Sequence, residues 1–232
     1  MHHASGDAAR GGAPLTVVVD DGSQTRDTFQ LAYPALDLVG AYPSVTQVLD
    51  ERPPAVLVVL DLHLSTDLRA RPVLQGPPAI AALVAAGYRV CLYTDEQRLL
   101  VLAKCLGAGA TGLARKSDPL AVNQEAFLRV AEGRTVVASS LVGLAELLSR
   151  RGQLPELTPR QIQVLNGRAR GEPWKLLSAR LGITPKTAYD RLEAVMAKMV
   201  LYLQDAGLGI DHSPADVERA LGLAPGDLLE TP

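Results

Sequence analysis

Five short apolar runs, separated by polar or amphipathic stretches, constrain this chain more than any other feature. They are LTVVVDD (Leu15–Asp21), ALDLVGAY (Ala35–Tyr42), AVLVVLD (Ala55–Asp61), RVCLYTD (Arg89–Asp95) and the weaker TGLARK (Thr111–Lys116). Near-continuous runs of this length fit strands covered on both faces. Helices are expected between them at Ser23–Ala32, Val45–Glu51, Ala79–Ala86, Glu96–Leu106 and Leu120–Glu132. Gly87 and Gly107 fall where helix C-caps would sit. Strands alternating with helices predict a parallel sheet with helices on both faces. No repeat of 20–50 residues interrupts the pattern.

The ends of these strands carry the chemistry. Asp20 and Asp21 close the first run, Asp61 the third, Thr94 and Asp95 the fourth, and Lys116 the fifth. Ends of parallel strands meet along one sheet edge, where ligands bind. Carboxylates crowded there repel one another and need a cation. An all-oxygen set suits Mg²⁺, which takes one or two carboxylates, waters and a phosphate. One carboxylate can then act as a nucleophile toward a phosphoryl group. A lysine ammonium and a threonine hydroxyl can hold the phosphoryl oxygens. A single aspartate after a strand is usually a loop cap. The ordered set of acids, hydroxyl and lysine is much harder to obtain by accident.

Beyond residue 135 the pattern becomes helical. Ser140–Gly152 reads as a helix and Gly152–Glu156 as a linker. Thr158 is an N-cap, with Pro159 at the first helical position and Gly171 as the stop. A shorter helix runs from near Pro173 to Gly182, and Thr184–Pro185 opens a long one. On the long helix Ala188, Leu192, Val195, Met199 and Leu203 form one apolar stripe. A final helix signal begins at Ser213–Pro214.

The formal charge of −2 conceals an asymmetry. Residues 153–203 hold 8 Lys/Arg against 4 Asp/Glu, whereas residues 204–232 hold 1 against 6. The basic segment is a candidate for a polyanion partner, and the acidic one is a poor contact for DNA. With 4% aromatic residues, the core must be mainly Leu, Val and Ala. No run reaches the roughly 18 apolar residues of a membrane span. The first 14 residues lack the apolar centre of a signal peptide and read as a disordered tail. Cys91 and Cys105, in apolar segments without metal-like spacing, read as buried thiols in a reducing cytoplasm.

Through VVVDD, VLVVLDLHL, LYTD and GATGLARK, residues 14–135 resemble the receiver domain of response regulators. The resemblance implies a flavodoxin-like, doubly wound, five-stranded parallel sheet. It also implies that Asp20, Asp21, Asp61 and the His63 backbone carbonyl bind Mg²⁺. Asp61 would be the phosphoacceptor, and Thr94 and Lys116 would contact the phosphoryl group. Residues 157–199 resemble the LuxR-type helix-turn-helix domain of the NarL/FixJ family, with ARLGIT as the turn. In such a pair the second helix enters the major groove. This assigns Lys175, Thr184, Lys186, Thr187, Tyr189, Asp190 and Arg191 to DNA contact. Trp174 is expected to pack on the scaffold rather than touch DNA, and Tyr189 is open between the two.

The implied organisation is a tail at 1–14, a receiver at 15–135, a linker helix and linker at 136–156, an all-α helix-turn-helix domain at 157–203 and an acidic extension at 204–232. The implied partners are double-stranded DNA, a second copy of the chain and a sensor histidine kinase. The dimer seam is expected on Glu96–Leu106 or on the long last helix of the DNA-binding domain. Four departures keep a second reading open, an atypical regulator whose receiver dimerises or senses a small ligand without phosphorylation. The first helix is short, and the loop after Asp61 is long and rich in Pro and Arg. Asp95 stands where a small residue is usual, and Leu113 where a switch aromatic is usual.

Overall fold

In the computed structural model, residues 12–64, 73–154, 156–209 and 211–228 are described. Most of the loop after Asp61 (residues 65–72), whose length departs from the receiver pattern, and nearly all of the N-terminal tail lie outside these residues.

The five strands are β1 (Leu15–Val19), β2 (Asp37–Tyr42), β3 (Leu57–Leu60), β4 (Arg89–Tyr93) and β5 (Gly112–Ala114). All pairs are parallel, in the order β2-β1-β3-β4-β5. The order reverses direction between β1 and β3, which opens a crevice at their C-terminal ends. The helices α1 (Ser23–Ala32), α2 (Val45–Glu51), α3 (Gly76–Ala85), α4 (Leu99–Gly107) and α5 (Leu120–Ala131) connect the strands.

Side-chain alternation splits the core into two layers. Val17, Val19, Val58, Leu60, Val90 and Leu92 face the side packed with α2, α3 and α4. Val18, Leu57, Val59, Cys91 and Tyr93 face the side packed with α1 and α5. Aromatic residues are few, yet both phenylalanines stand here beside Tyr33 and Tyr93. Burial pushes both thiols up, Cys105 to about 12, so neither is a reactive thiolate.

After α5 the chain returns to the sheet edge. Val136 accepts from Leu113 N at 2.8 Å and donates to Thr111 O at 3.0 Å, covering the outer side of β5. The helices α6 (Val142–Arg150), α7 (Pro159–Ala169), α8 (Trp174–Leu181), α9 (Pro185–Asp205) and α10 (Pro214–Ala220) follow. Thr158 caps α7 through a capping box, and the Thr184 hydroxyl caps α9 by accepting from Thr187 N. Gly182 adopts φ 65° at the bend between α8 and α9, where a side chain would be strained. The predicted stripe on α9 is buried along its whole length.

Two expectations need correction. Helix α4 starts at Leu99 rather than Glu96, because the Glu96 carboxylate accepts from the backbone N–H groups of Gln97 and Arg98 and holds that segment as a turn. Gly107 is not a left-handed cap; the positive φ of 109° belongs to Gly109. At Gly107 a Cβ would stand 3.1 Å from the Leu203 carbonyl and 3.2 Å from Leu208, so close approach by α9 sets that position. The α4 and α9 faces considered as dimer seams therefore meet each other within one chain. The apolar cluster on the α4 side of the sheet runs without a break into α6, α7, α9 and α10.

Gly112 supplies a packing test. A Cβ there would lie 2.5 Å from Cys91 Sγ and 2.6 Å from a Val130 methyl. Gly112→Ala should destabilise the chain by about 1–3 kcal/mol through overpacking. The check is the urea midpoint against wild type, at unchanged slope.

Candidate functional site

The acids predicted at the strand ends come together. Carboxylate oxygens of Asp20, Asp21 and Asp61 lie within 4.8 Å of one another. Asp20 and Asp61 are buried; Asp21 is half-buried. Each buried acid is fixed by a local backbone donor: Gly22 N to Asp20 Oδ1 at 2.8 Å, and His63 N to Asp61 Oδ1 at 3.3 Å. Lys116 Nζ donates to both Asp20 Oδ2 and Asp61 Oδ2 at 2.8 Å. Burial opposes its charge, but the hydrogen bonds and fields of the two carboxylates prevail and hold its pKa above the ordinary value. The ammonium supplies the positive charge this cluster requires, and oxygen donors so close together suit a hard divalent cation.

Thr94 is buried, and its hydroxyl accepts from Glu96 N at 3.2 Å. Asp95 Oδ1 accepts from Ser117 N at 3.0 Å and from the Ser117 hydroxyl at 2.8 Å. That oxygen is committed to the β5–α5 loop. Thr94 and Asp95, with His63, Glu96, Arg98 and Lys116, border an open cleft of about 450 Å³ over Asp61.

Sequence reasoning missed the rim of this cleft. The Glu96 carboxylate is nearly inaccessible and pairs with Arg98 at 2.6 Å and His63 Nε2 at 3.2 Å. The Arg98 guanidinium pulls Glu96 down to about 2, against the opposing effect of burial. The His63 ring, for which the sequence suggests no role, thus joins the loop after β3 to the loop after β4. No spacing signal marks such a contact. Tyr93 was missed as well: its hydroxyl meets that of Tyr33 at 2.9 Å, and Lys116 Nζ lies 5.6 Å from its ring centre.

Of the residues assigned to DNA contact, Lys175 and Lys186 are exposed, and Lys186 pairs with Asp190 at 3.4 Å. The Thr184 and Thr187 hydroxyls meet at 2.9 Å. Tyr189 packs on Trp174, ring centres 5.7 Å apart, and beneath the Arg129 guanidinium at 4.9 Å. Arg168 stacks on Trp174 at 4.4 Å. Arg191 is half-buried. One turn further along, Glu193 pairs with Arg129 and, at 2.7 Å, with Arg134. The first half of α9 therefore lies against α5 of the α/β part.

A doubly wound sheet with an acid–lysine crevice, followed by a helix pair with a glycine bend, defines a receiver joined to a helix-turn-helix. No family model matches the chain. The chain is 29% identical over 166 residues to the transcriptional activator protein ExaE of Pseudomonas putida, covering 67% of this chain and 72% of that one. It is 31% identical over 136 residues to the probable transcriptional regulatory protein NarL of Mycobacterium tuberculosis, covering 57% of this chain and 59% of the relative. A solved RcsB response regulator of Salmonella typhimurium shares the fold at a TM-score of 0.50 and 17% identity, over 84% of this chain and 97% of that one. An RcsB–DNA complex aligns at a TM-score of 0.50 and 16% identity, over 85% of this chain and all of that one. In sequence the chain is similar to these transcription regulators, and it shares its fold with the solved response regulators.

Proposed function

We propose that this protein is a cytoplasmic, DNA-binding transcription regulator whose Asp61 crevice controls access of α9 to DNA. The observation that carries the reading is the seating of α9. Tyr189 and Glu193 are engaged by Arg129 and Arg134, on the same helix that presents Lys186, Thr187, Asp190 and Arg191. A helix so placed cannot enter a major groove until the α5 contact opens, so occupancy of DNA becomes a two-state choice. Receiver 15–135, linker 136–156 and DNA-binding domain 157–203 are the working units of this choice, and the active form is a homodimer, since one such helix covers only a few base pairs.

In the crevice Asp20, Asp21, Asp61 and the His63 carbonyl would hold Mg²⁺, which supplies charge neutralisation for an incoming phosphoryl group. An Asp61 carboxylate oxygen attacks the phosphorus of a histidine-kinase phosphohistidine or a small acyl phosphate. The bond from phosphorus to the donor's leaving atom breaks, that atom keeps the electron pair, and an acyl phosphate remains on Asp61. Lys116 and Thr94 would donate to the transferred oxygens, Lys116 through its third ammonium proton and Thr94 through its hydroxyl proton, but Lys116 bridges Asp20 and Asp61 and competes with a cation for both carboxylates. That competition favours a second reading, an atypical regulator held by the Lys116 bridge and the Glu96 rim without phosphorylation.

One experiment separates the two. Acetyl phosphate with Mg²⁺ should add one phosphoryl group to wild type and none to Asp61→Asn, read by intact mass. Unmodified wild type would favour the second reading. Independently, Lys186→Ala and Arg191→Ala should each weaken binding to a selected duplex by about 1–3 kcal/mol if the side chain reads a base. Unchanged affinity in both would remove α9 as the reading helix.

A further inference from the structure

We propose that the acidic C-terminal extension is a strap that holds the DNA-reading helix shut against the receiver, a role that rests on the DNA-binding reading above. The segment is built to keep one shape. Ser213 and Asp216 form a capping box at the start of α10. The Glu218 side chain accepts from Gly226 N and Leu228 N at 2.9 Å each, which fixes the return of the chain after the helix. Val217, Leu221, Leu223 and Leu228 are buried and join the same apolar cluster as α6 and α9.

The strap continues from α9 and reaches two further parts of the molecule. On the receiver, Lys104 of α4 donates to the His212 carbonyl at 2.6 Å, and Leu208 packs against Gly107. On the linker, Arg151 pairs with Asp227 at 3.1 Å, and the Gln153 amide packs against Gly222. Gln153 also accepts from the Tyr202 hydroxyl of α9 at 3.0 Å. The segment that continues from α9 is thus tied to both receiver and linker, and a swing of α9 away from α5 would pull on its contacts at Lys104 and Gly107, where the Leu203 carbonyl of α9 also approaches. The charge of the segment suits this role, because its Asp227 meets Arg151 and its acids would repel a DNA phosphate.

Trp174, the only tryptophan, reports on the closed state without any DNA. It borders a cavity of about 250 Å³ whose other wall includes Val122 and Asn123 of α5. Two variants are compared with wild type: the full-length double variant Lys104→Met/Leu208→Asn, and a chain ending at Gly207. The readouts are acrylamide quenching of Trp174 and affinity for a random-sequence 30-base-pair duplex at fixed salt, with circular dichroism confirming helix content. The expected result is quenching raised at least twofold and binding raised about tenfold in the double variant. The double variant keeps the test valid if the shortened chain does not fold. Unchanged quenching in a folded double variant overturns the strap. Raised quenching without a gain in binding supports the strap as a clasp and instead counts against DNA binding by α9.

Discussion

Phe127→Ala should cost about 3–5 kcal/mol, the range for emptying a fully buried aromatic site. Phe127 is inaccessible, and its ring centre lies 5.0 Å from Tyr33, 5.6 Å from Tyr93 and 5.9 Å from Phe29. The edge-on arrangements add to area burial, since aromatic pairs contribute about 0.5–1.5 kcal/mol beyond it. The four rings stand together between β4, α1 and α5. Collapse is limited by the Tyr33–Tyr93 hydroxyl pair, which ties α1 to β4. The measurement is urea unfolding followed by circular dichroism. A loss below about 1.5 kcal/mol, closer to a minor core truncation, would mean that the cluster relaxes freely. The site should respond as well, because Tyr93 lies beside Lys116.

That cluster shows where reading the sequence stops. The strands, their order of use and the acids at their ends were legible because each depends on residues adjacent in the chain. Strand burial follows from an apolar run except at the edge strand β2, which has no buried residue, and a cap follows from Thr158 or Thr184 beside a proline. The α9 stripe follows from helical spacing. Contacts between distant segments leave no such mark. Tyr33 and Tyr93 are 60 positions apart, and Lys104 and His212 are 108 apart. Gly107 shows the same limit at one residue. Its position after an apolar helix suggested a cap, while its function is to admit Leu203 and Leu208. Glu96 was wrongly assigned to a helix, because its own side chain holds the backbone out of one and spacing carries no sign of that.

The same logic predicts the behaviour of the crevice when its lysine is removed. In Lys116→Met, Asp20 and Asp61 keep their places at the ends of β1 and β3 but lose the ammonium that each contacts at 2.8 Å. Removing one partner of a buried pair costs about 3–5 kcal/mol, because the remaining charge stays uncompensated. The lysine side chain is 30% exposed, so the loss should lie at the low end, about 3 kcal/mol. A cation that binds the folded carboxylates should restore stability by mass action, about 2.7 kcal/mol at one hundred times its dissociation constant. Mg²⁺ should therefore raise the melting temperature of Lys116→Met more than that of wild type, where Lys116 competes for Asp20 and Asp61. The triple variant Asp20→Asn/Asp61→Asn/Lys116→Met removes both sides of the pairing and should show no response to Mg²⁺. Equal responses in wild type and Lys116→Met would mean that the lysine and the cation do not share these oxygens. A Mg²⁺ response retained in the triple variant would place the cation elsewhere.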